Sequence, residues 1–322
     1  MKLRNIILSG LVLASFVGCA DFLDVQPKDK QSEKQLFATR GGYYMAVNGI
    51  YNKIAASALY GKNLSFELVD VISKRYQPLL ANTYLTALST FAYTDNSVEK
   101  ELSSTWTAAY NTILNCNVVL ENIDGSVGVL PEQERRMLKG EMLAVRAFLH
   151  FDLMRLFCDN YRTNPEAGGI PYAYTFDLSN KKVYTLAQCY DNVLADLNVA
   201  TRNLAGDGDI YNDFAEDSYH KKRYSHCNLY AAWAIKARVF YTKGDLDSAA
   251  YYADKVVASP EVGLTERQNF DHVKRYGKHT ELLWGVFTNK MYTDYKELFL
   301  QSAVTLNATL RADIKALYEV SQ

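Results

Sequence analysis

Apolar positions recur at helical spacing through most of this chain. Tyr43, Val47, Ile50, Ile54 and Ala58 fall four, three, four and four apart, which marks one face of a helix. Trp106, Tyr110, Ile113, Asn117 and Leu120 step in the same way. So do Leu138, Met142, Val145, Leu149, Leu153 and Leu156, which follow Pro131, a residue suited to a first helical turn. Thr185 with Gln188 forms a capping box that opens a further stripe of Leu186, Tyr190, Val193, Leu197, Ala200 and Leu204. Ser32 with Gln35 has the same spacing. Other stretches break the pattern. Residues 61–96, with Pro78 and Asn82, read as a loop-rich excursion, and Gly206 to Asp217 as an acidic loop. Gly168, Gly169 and Pro171 mark a connection, Glu281 to Phe287 reads as one buried strand, and the rest to Gln322 as loop with a short helix. The expected class is mainly α with little strand.

A last helix pair, at about 227–258, carries the spacing of a tetratricopeptide repeat in Trp233, Ala237, Phe240, Gly244, Asp245, Ala249, Ala253 and Pro260. Gly244 supplies a left-handed residue that ends one helix, Asp245 caps the next, and the two alanines let antiparallel helices approach closely. Helical hairpins of this kind bury their apolar faces only by stacking on neighbours. The expected architecture is a tetratricopeptide-like helical-hairpin solenoid with irregular loops.

The amino terminus reads as an export signal. Lys2 and Arg4 precede an apolar stretch, Ile6 to Val17, that is too short to cross a bilayer core requiring about 20 residues. It ends in Phe16-Val17-Gly18-Cys19, the form of a lipobox, with phenylalanine where leucine is more usual. Lipidation of Cys19 would tether the protein, since two or more acyl chains hold a protein on a membrane where one binds reversibly. The alternative is an ordinary cleaved signal with an incidental cysteine.

Composition narrows the function. The 322 residues are 48% hydrophobic and 22% charged, a globular balance. The 35 bases, less the two in the leader, against 36 acids leave the body from Cys19 at −3. Such a body has no electrostatic reason to seek nucleic acid. Cys116, Cys158, Cys189 and Cys227 are too few for a disulfide framework in a chain this long. They are expected to be free, buried thiols, with a single bridge as the alternative.

Several segments together resemble the SusD/RagB family of surface lipoproteins. They are Cys19-Ala20-Asp21-Phe22-Leu23-Asp24, Trp106-Thr107-Ala108-Ala109-Tyr110-Asn111 with Asn117, and Glu141 to Phe148. Gly169-Ile170-Pro171-Tyr172, the Trp233 to Ala253 helix pair and Glu281-Leu282-Leu283-Trp284 follow in the family's order. The resemblance implies an outer-membrane lipoprotein, surface-exposed, that binds glycans (peptides in some members) and delivers them to a SusC-like TonB-dependent transporter, with repeat helices against the barrel. It divides the chain into a signal peptide (1–18), a lipidated tether (19–40) and a SusD-like helical domain (41–322). Family members usually continue well beyond Gln322, so a C-terminally short copy is expected. No cofactor is implied. A surface glycoside hydrolase, or a copy retaining only transporter-binding helices, are the alternatives.

Sugar recognition needs flat aromatic faces and planar polar groups. Glu67, Asp70, Arg75, Tyr76 and Gln77 supply both kinds within the irregular excursion. By resemblance, Glu67 and Asp70 stand where the family often has a paired acid motif before a ligand-facing loop. Glu67, Asp70, Arg75 and Tyr76 are therefore the expected ligand-binding residues, against the plainer reading of a solvated loop. Trp106, Trp233 and Trp284 are expected in the core. Enzyme signals are weaker. Ser97 and Lys100 match a serine–lysine spacing without its companion Lys-Thr-Gly and read as a helix start. His220, His226 and Cys227 lack a second cluster to complete a zinc site. Asp207, Asp209 and Asp213 begin like a calcium loop, but Tyr211 and Asn212 break it, so a solvated acidic loop is preferred. Paired carboxylates for glycoside hydrolysis are a three-dimensional matter that spacing does not decide.

Overall fold

A computed structural model describes residues 33–78, 82–177, 179, 182–207, 210, 219, 222–264, 281–299 and 308–310. The lipobox cysteine Cys19, the signal and tether before residue 33, the Ser32 capping box, Asp209, Tyr211, Asn212, Asp213 and His220 lie outside the described residues.

The described chain is a stack of helices with two short strand pairs. After a single turn, α1 (Glu33–Leu36), come α2 (Arg40–Ile54), α3 (Leu68–Ile72), β1 (Tyr76–Pro78), α4 (Thr83–Ser89) and α5 (Asn96–Ile123). Then follow α6 (Glu132–Phe157), β2 (Gly168–Pro171), β3 (Val183–Thr185) and α7 (Leu186–Asn203). A 3-10 turn, Arg223–Ser225, leads into α8 (Leu229–Lys243) and α9 (Leu246–Val257), with α10 (Met291–Phe299) and β4 (Ala308–Leu310) beyond. The strands pair antiparallel as β1 with β4 and β2 with β3. The connection expected around Gly168–Pro171 is thus one arm of a two-stranded ribbon.

Local chemistry sets the helix ends. Thr39 accepts from the Gly42 amide at the start of α2, Asp95 accepts from Ser97 and Val98 at the start of α5, and Asn228 accepts from Ala231 at the start of α8. Thr185 and Gln188 form the expected reciprocal capping box. Ser97 therefore lies in a first helical turn, as read. Between α8 and α9, Gly244 has φ of 89° and Asp245 accepts from the Ser248 amide. This is the hairpin turn the repeat spacing specifies.

Helix α6 is the axis of the molecule. It packs on α5, α7 and α8, while α2 lies on α5 and α9 on α8. Every residue from Gly140 to Phe151 is buried, so the helix is enclosed on all faces and not along one stripe. At Gly140 a Cβ would stand 2.7 Å from Leu204 Cγ and 3.0 Å from the Ala200 carbonyl. The glycine lets α7 close on α6. The main core draws on α2, α5, α6, α7 and α8. A smaller one joins Leu68, Val71, Leu85, Leu88, Val98 and Leu298.

Because α6 is enclosed, its charged residues need internal partners. Arg146 forks onto Asp196 (Nε to Oδ2 2.8 Å, Nη2 to Oδ1 2.7 Å) and donates to Asn117 Oδ1 at 2.8 Å. Tyr172 adds a donor to Asp196 Oδ2 at 2.7 Å. Glu141 accepts from the Tyr51 and Tyr219 hydroxyls at 2.8 and 2.9 Å and pairs with Arg223 at 2.6 Å. His150 accepts from the Ala173 amide at Nε2, so its proton sits on Nδ1, 2.8 Å from the Arg146 carbonyl, and the ring is neutral. Burial pushes its pKa down to about 3.

Three expectations change. Glu281–Phe287 is irregular, not a strand, half-buried from Leu282 to Val286 and exposed at Glu281 and Phe287. Trp284 and Val286 pack on the main core, and Trp284 meets Phe148 edge-on with centroids 5.3 Å apart. The 61–96 excursion holds α3, β1 and α4 around the smaller core, with helices too short for periodicity to reveal. Asp207 is not solvated, since it accepts from Arg223 Nε and Nη2 at 3.0 and 2.8 Å in the interior. The four described cysteines are free; Cys116, Cys189 and Cys227 are buried and Cys158 is half-buried.

Candidate functional site

The expected ligand-binding residues follow from a turn. Lys74, at φ of 61°, reverses the chain after α3, and Arg75 and Tyr76 return to Asp70. Arg75 Nη1 and the Tyr76 hydroxyl each stand 3.2 Å from the Asp70 carboxylate. Burial first, and the Asp70 charge second, push the Tyr76 phenol up to about 12. The Tyr76 ring meets Phe299 at 4.7 Å. Glu67 belongs to a different contact, an ion pair with Lys62 at 2.8 Å. Burial raises its pKa. Three of the four residues form one cluster and the fourth is set apart.

Asp70 and Arg75 open onto a cleft of about 570 Å³ between the α3 segment, α6 and α8. Its other walls were not foreseen. Tyr60, from the turns after α2, stacks on Phe148 of α6 at 5.0 Å and 20°. Phe148, Asp152 and Arg155 fall four and three apart on α6, so they share a face, and Arg238 reaches in from α8. Asp152 gathers the polar groups. It accepts from the Tyr60 hydroxyl at 2.7 Å and from Arg155 at 3.0 Å, with Arg238 at 3.6 Å. Burial and the neighbouring Asp152 raise the Tyr60 pKa well above that of a free phenol, so it acts as a donor. The Arg238 guanidinium lies 5.7 Å from both the Phe148 and Phe151 ring centres.

The arrangement sets a stacked Tyr60–Phe148 pair and three planar cations around one concave surface. Each carboxylate on it is engaged by arginine and tyrosine donors. The 148/152/155 spacing is visible in the sequence, but it lies beside the apolar stripe of the same helix and nothing local marks it as a site. Nothing local ties Arg238 or Tyr60 to them.

The remaining candidates are structural. His226 packs edge-on to Tyr51 at 4.9 Å, and burial lowers its pKa to about 3. No group of three metal-ligating side chains occurs among the described residues. Trp106 packs on Tyr110 and Phe157, and Trp233 on Tyr230, each half-buried at the core edge. No described helix is long and apolar enough to cross a membrane.

Residues 21–241 match a family, SusD-like, described as "starch-binding associating with outer membrane". A SusD-like protein P25 from Formosa agariphila is 26% identical over 169 residues, which is 49% of this chain and 31% of that protein. A solved SusD superfamily protein from Bacteroides thetaiotaomicron superposes with a TM-score of 0.71 at 20% identity, over 88% of this chain and 62% of that one. A sugar-binding protein, so described provisionally, from Bacteroides vulgatus gives 0.70 at 22%, over the same shares. The chain thus spans less than a third of that curated relative and under two thirds of those two solved proteins. With the family match running from Asp21 through the first helix of the repeat hairpin, and the helical architecture shared with solved superfamily members, this chain belongs to the SusD-like family.

Proposed function

We propose that this protein captures a saccharide at the outer membrane in the Tyr60–Asp70–Arg75–Asp152–Arg155–Arg238 cleft, and passes it to a SusC-like TonB-dependent transporter. Binding is non-covalent and no reaction follows. The cleft carries the reading: a stacked aromatic pair beside planar hydrogen-bond donors on a concave surface is what a sugar ring requires. The family description and the sugar-binding relative support the ligand class. Within it, Asp70 and Arg75 are ligand-facing, Tyr76 holds Asp70, and Glu67 with Lys62 fixes the loop from which α3 starts. The anchor is a lipid on Cys19.

The α8–α9 hairpin supplies the partner surface. Tyr241, Leu246, Tyr251 and Val257 are exposed on it, an apolar surface suited to a second protein.

Titration of the purified chain against a panel of plant and algal oligosaccharides tests the reading. Binding should be saturable and should weaken at least tenfold in Arg75→Ala, with helix content unchanged. Absence of binding to every glycan, or an Arg75→Ala affinity equal to wild type for each glycan bound, would refute this use of the cleft.

A further inference from the structure

The charge of the cleft is not symmetrical. Three guanidiniums line it against two carboxylates, and exposure separates them further. The side chains of Arg75, Arg155 and Arg238 are 64%, 47% and 47% exposed, while Asp70 and Asp152 are 11% and 13% exposed. The aspartates lie beneath and hold the arginines; the arginines face the space. Asp152 serves both Arg155 and Arg238, so among the described lining residues one positive charge has no carboxylate of its own.

These two arginines also border an adjoining groove of about 560 Å³ between α8 and α9, walled by Tyr241, Leu246 and Ala249. They therefore stand at the junction of two open spaces, one aromatic and polar, the other mainly apolar. A guanidinium held at one edge by a buried acid keeps its remaining N–H donors in a fixed fork, which matches the two oxygens of a carboxylate or sulfate. The Phe148 and Phe151 rings beneath reduce local solvation and strengthen that contact.

We propose that the ligand is an acidic saccharide, whose carboxylate or sulfate seats between Arg155 and Arg238 while a ring lies against Tyr60. This rests on the capture reading above and narrows it to a ligand class. Neutral sugars would leave the excess positive charge of the cleft without a counter-ion and would gain no ion pair with the outward N–H donors of these guanidiniums.

Uronate oligomers, their carboxyl-reduced neutral counterparts, a sulfated oligosaccharide with its unsulfated form, and poly-glutamate serve as probes, titrated calorimetrically into the purified chain at two salt concentrations. The expected result is at least tenfold tighter binding of a uronate or sulfated oligomer than of its neutral counterpart, weakening as salt rises. Which of the two binds more tightly assigns the anionic group. Arg238→Gln should lose about tenfold on the acidic ligand and clearly less on its neutral counterpart, so that the acidic-to-neutral preference collapses, with Arg155→Gln as the second variant should the first fail to fold. Equal affinity for acidic and neutral forms would overturn this inference and leave saccharide capture standing. Poly-glutamate binding as tightly as the saccharides would also overturn it and point to an acidic protein surface. Failure of every saccharide would remove both readings.

Discussion

Asp196→Ala is the sharpest test of how the interior is held together. The carboxylate accepts both arms of Arg146 and the Tyr172 hydroxyl, and the two charged side chains are 7% and 8% exposed. Truncation leaves a buried guanidinium whose only described side-chain acceptor is Asn117 Oδ1. Breaking a buried pair from one side costs about 3–5 kcal/mol, and the orphaned phenol adds about 1 kcal/mol or more. Domains are stable by about 5–15 kcal/mol, so the variant should lose a third or more of its stability at 25 °C. Urea titration followed by circular dichroism gives the difference as a shift in midpoint. Removing the whole set together, as Arg146→Met, Asp196→Leu and Tyr172→Phe, eliminates the buried charge and its donors, and should recover most of the loss. A single variant within about 1 kcal/mol of wild type, or a triple variant no better than Asp196→Ala, would refute the claim that the cost lies in an uncompensated buried cation.

Three further outcomes follow from the same structure. Gly244→Ala forces a Cβ into a left-handed residue and toward Arg162 Nε at 3.3 Å, which should cost about 1–2 kcal/mol by thermal melting; no change would mean the hairpin turn is not so constrained. His150 has its pKa lowered from 6.5 to about 3 by burial, so the unfolded chain binds the extra proton first and stability falls as pH drops below 6.5. Between pH 7 and pH 5 this contributes about 2 kcal/mol of loss, and His150→Asn should lose that much less over the same interval in urea titrations at the two pH values. An equal pH dependence in both proteins would show that the ring is not held neutral. Cys19→Ala should move the protein from the membrane pellet to the soluble fraction; persistence in salt-washed membranes would exclude lipid as the anchor.

How far the sequence reaches depends on the range of the interaction. Helices α2, α5, α6 and α7 were legible because each carries a long stripe, and the α8–α9 hairpin because Gly244 and Asp245 encode its turn locally. Helices α3 and α4 span barely one to two turns, too few residues for any period to register. The 281–287 segment misled because an apolar run looks the same whether it pairs as a strand or drapes over helices; Trp284 and Leu283 do the latter, with the Leu283 carbonyl accepting from Asn228 at 2.6 Å. Asp70, Arg75 and Tyr76 could be singled out together because they are near neighbours in sequence, and a turn brings all three into contact. Arg238 and Tyr60 meet at Asp152 only through the packing of α8 and the post-α2 turns on α6, a long-range fact no local pattern records.

A crystal structure of the chain soaked with whichever oligosaccharide binds in solution decides whether the cleft holds a saccharide. A sugar ring should lie against Tyr60 with an anionic group between Arg155 and Arg238. A saccharide bound elsewhere on the molecule, with this cleft filled only by solvent, would contradict this placement.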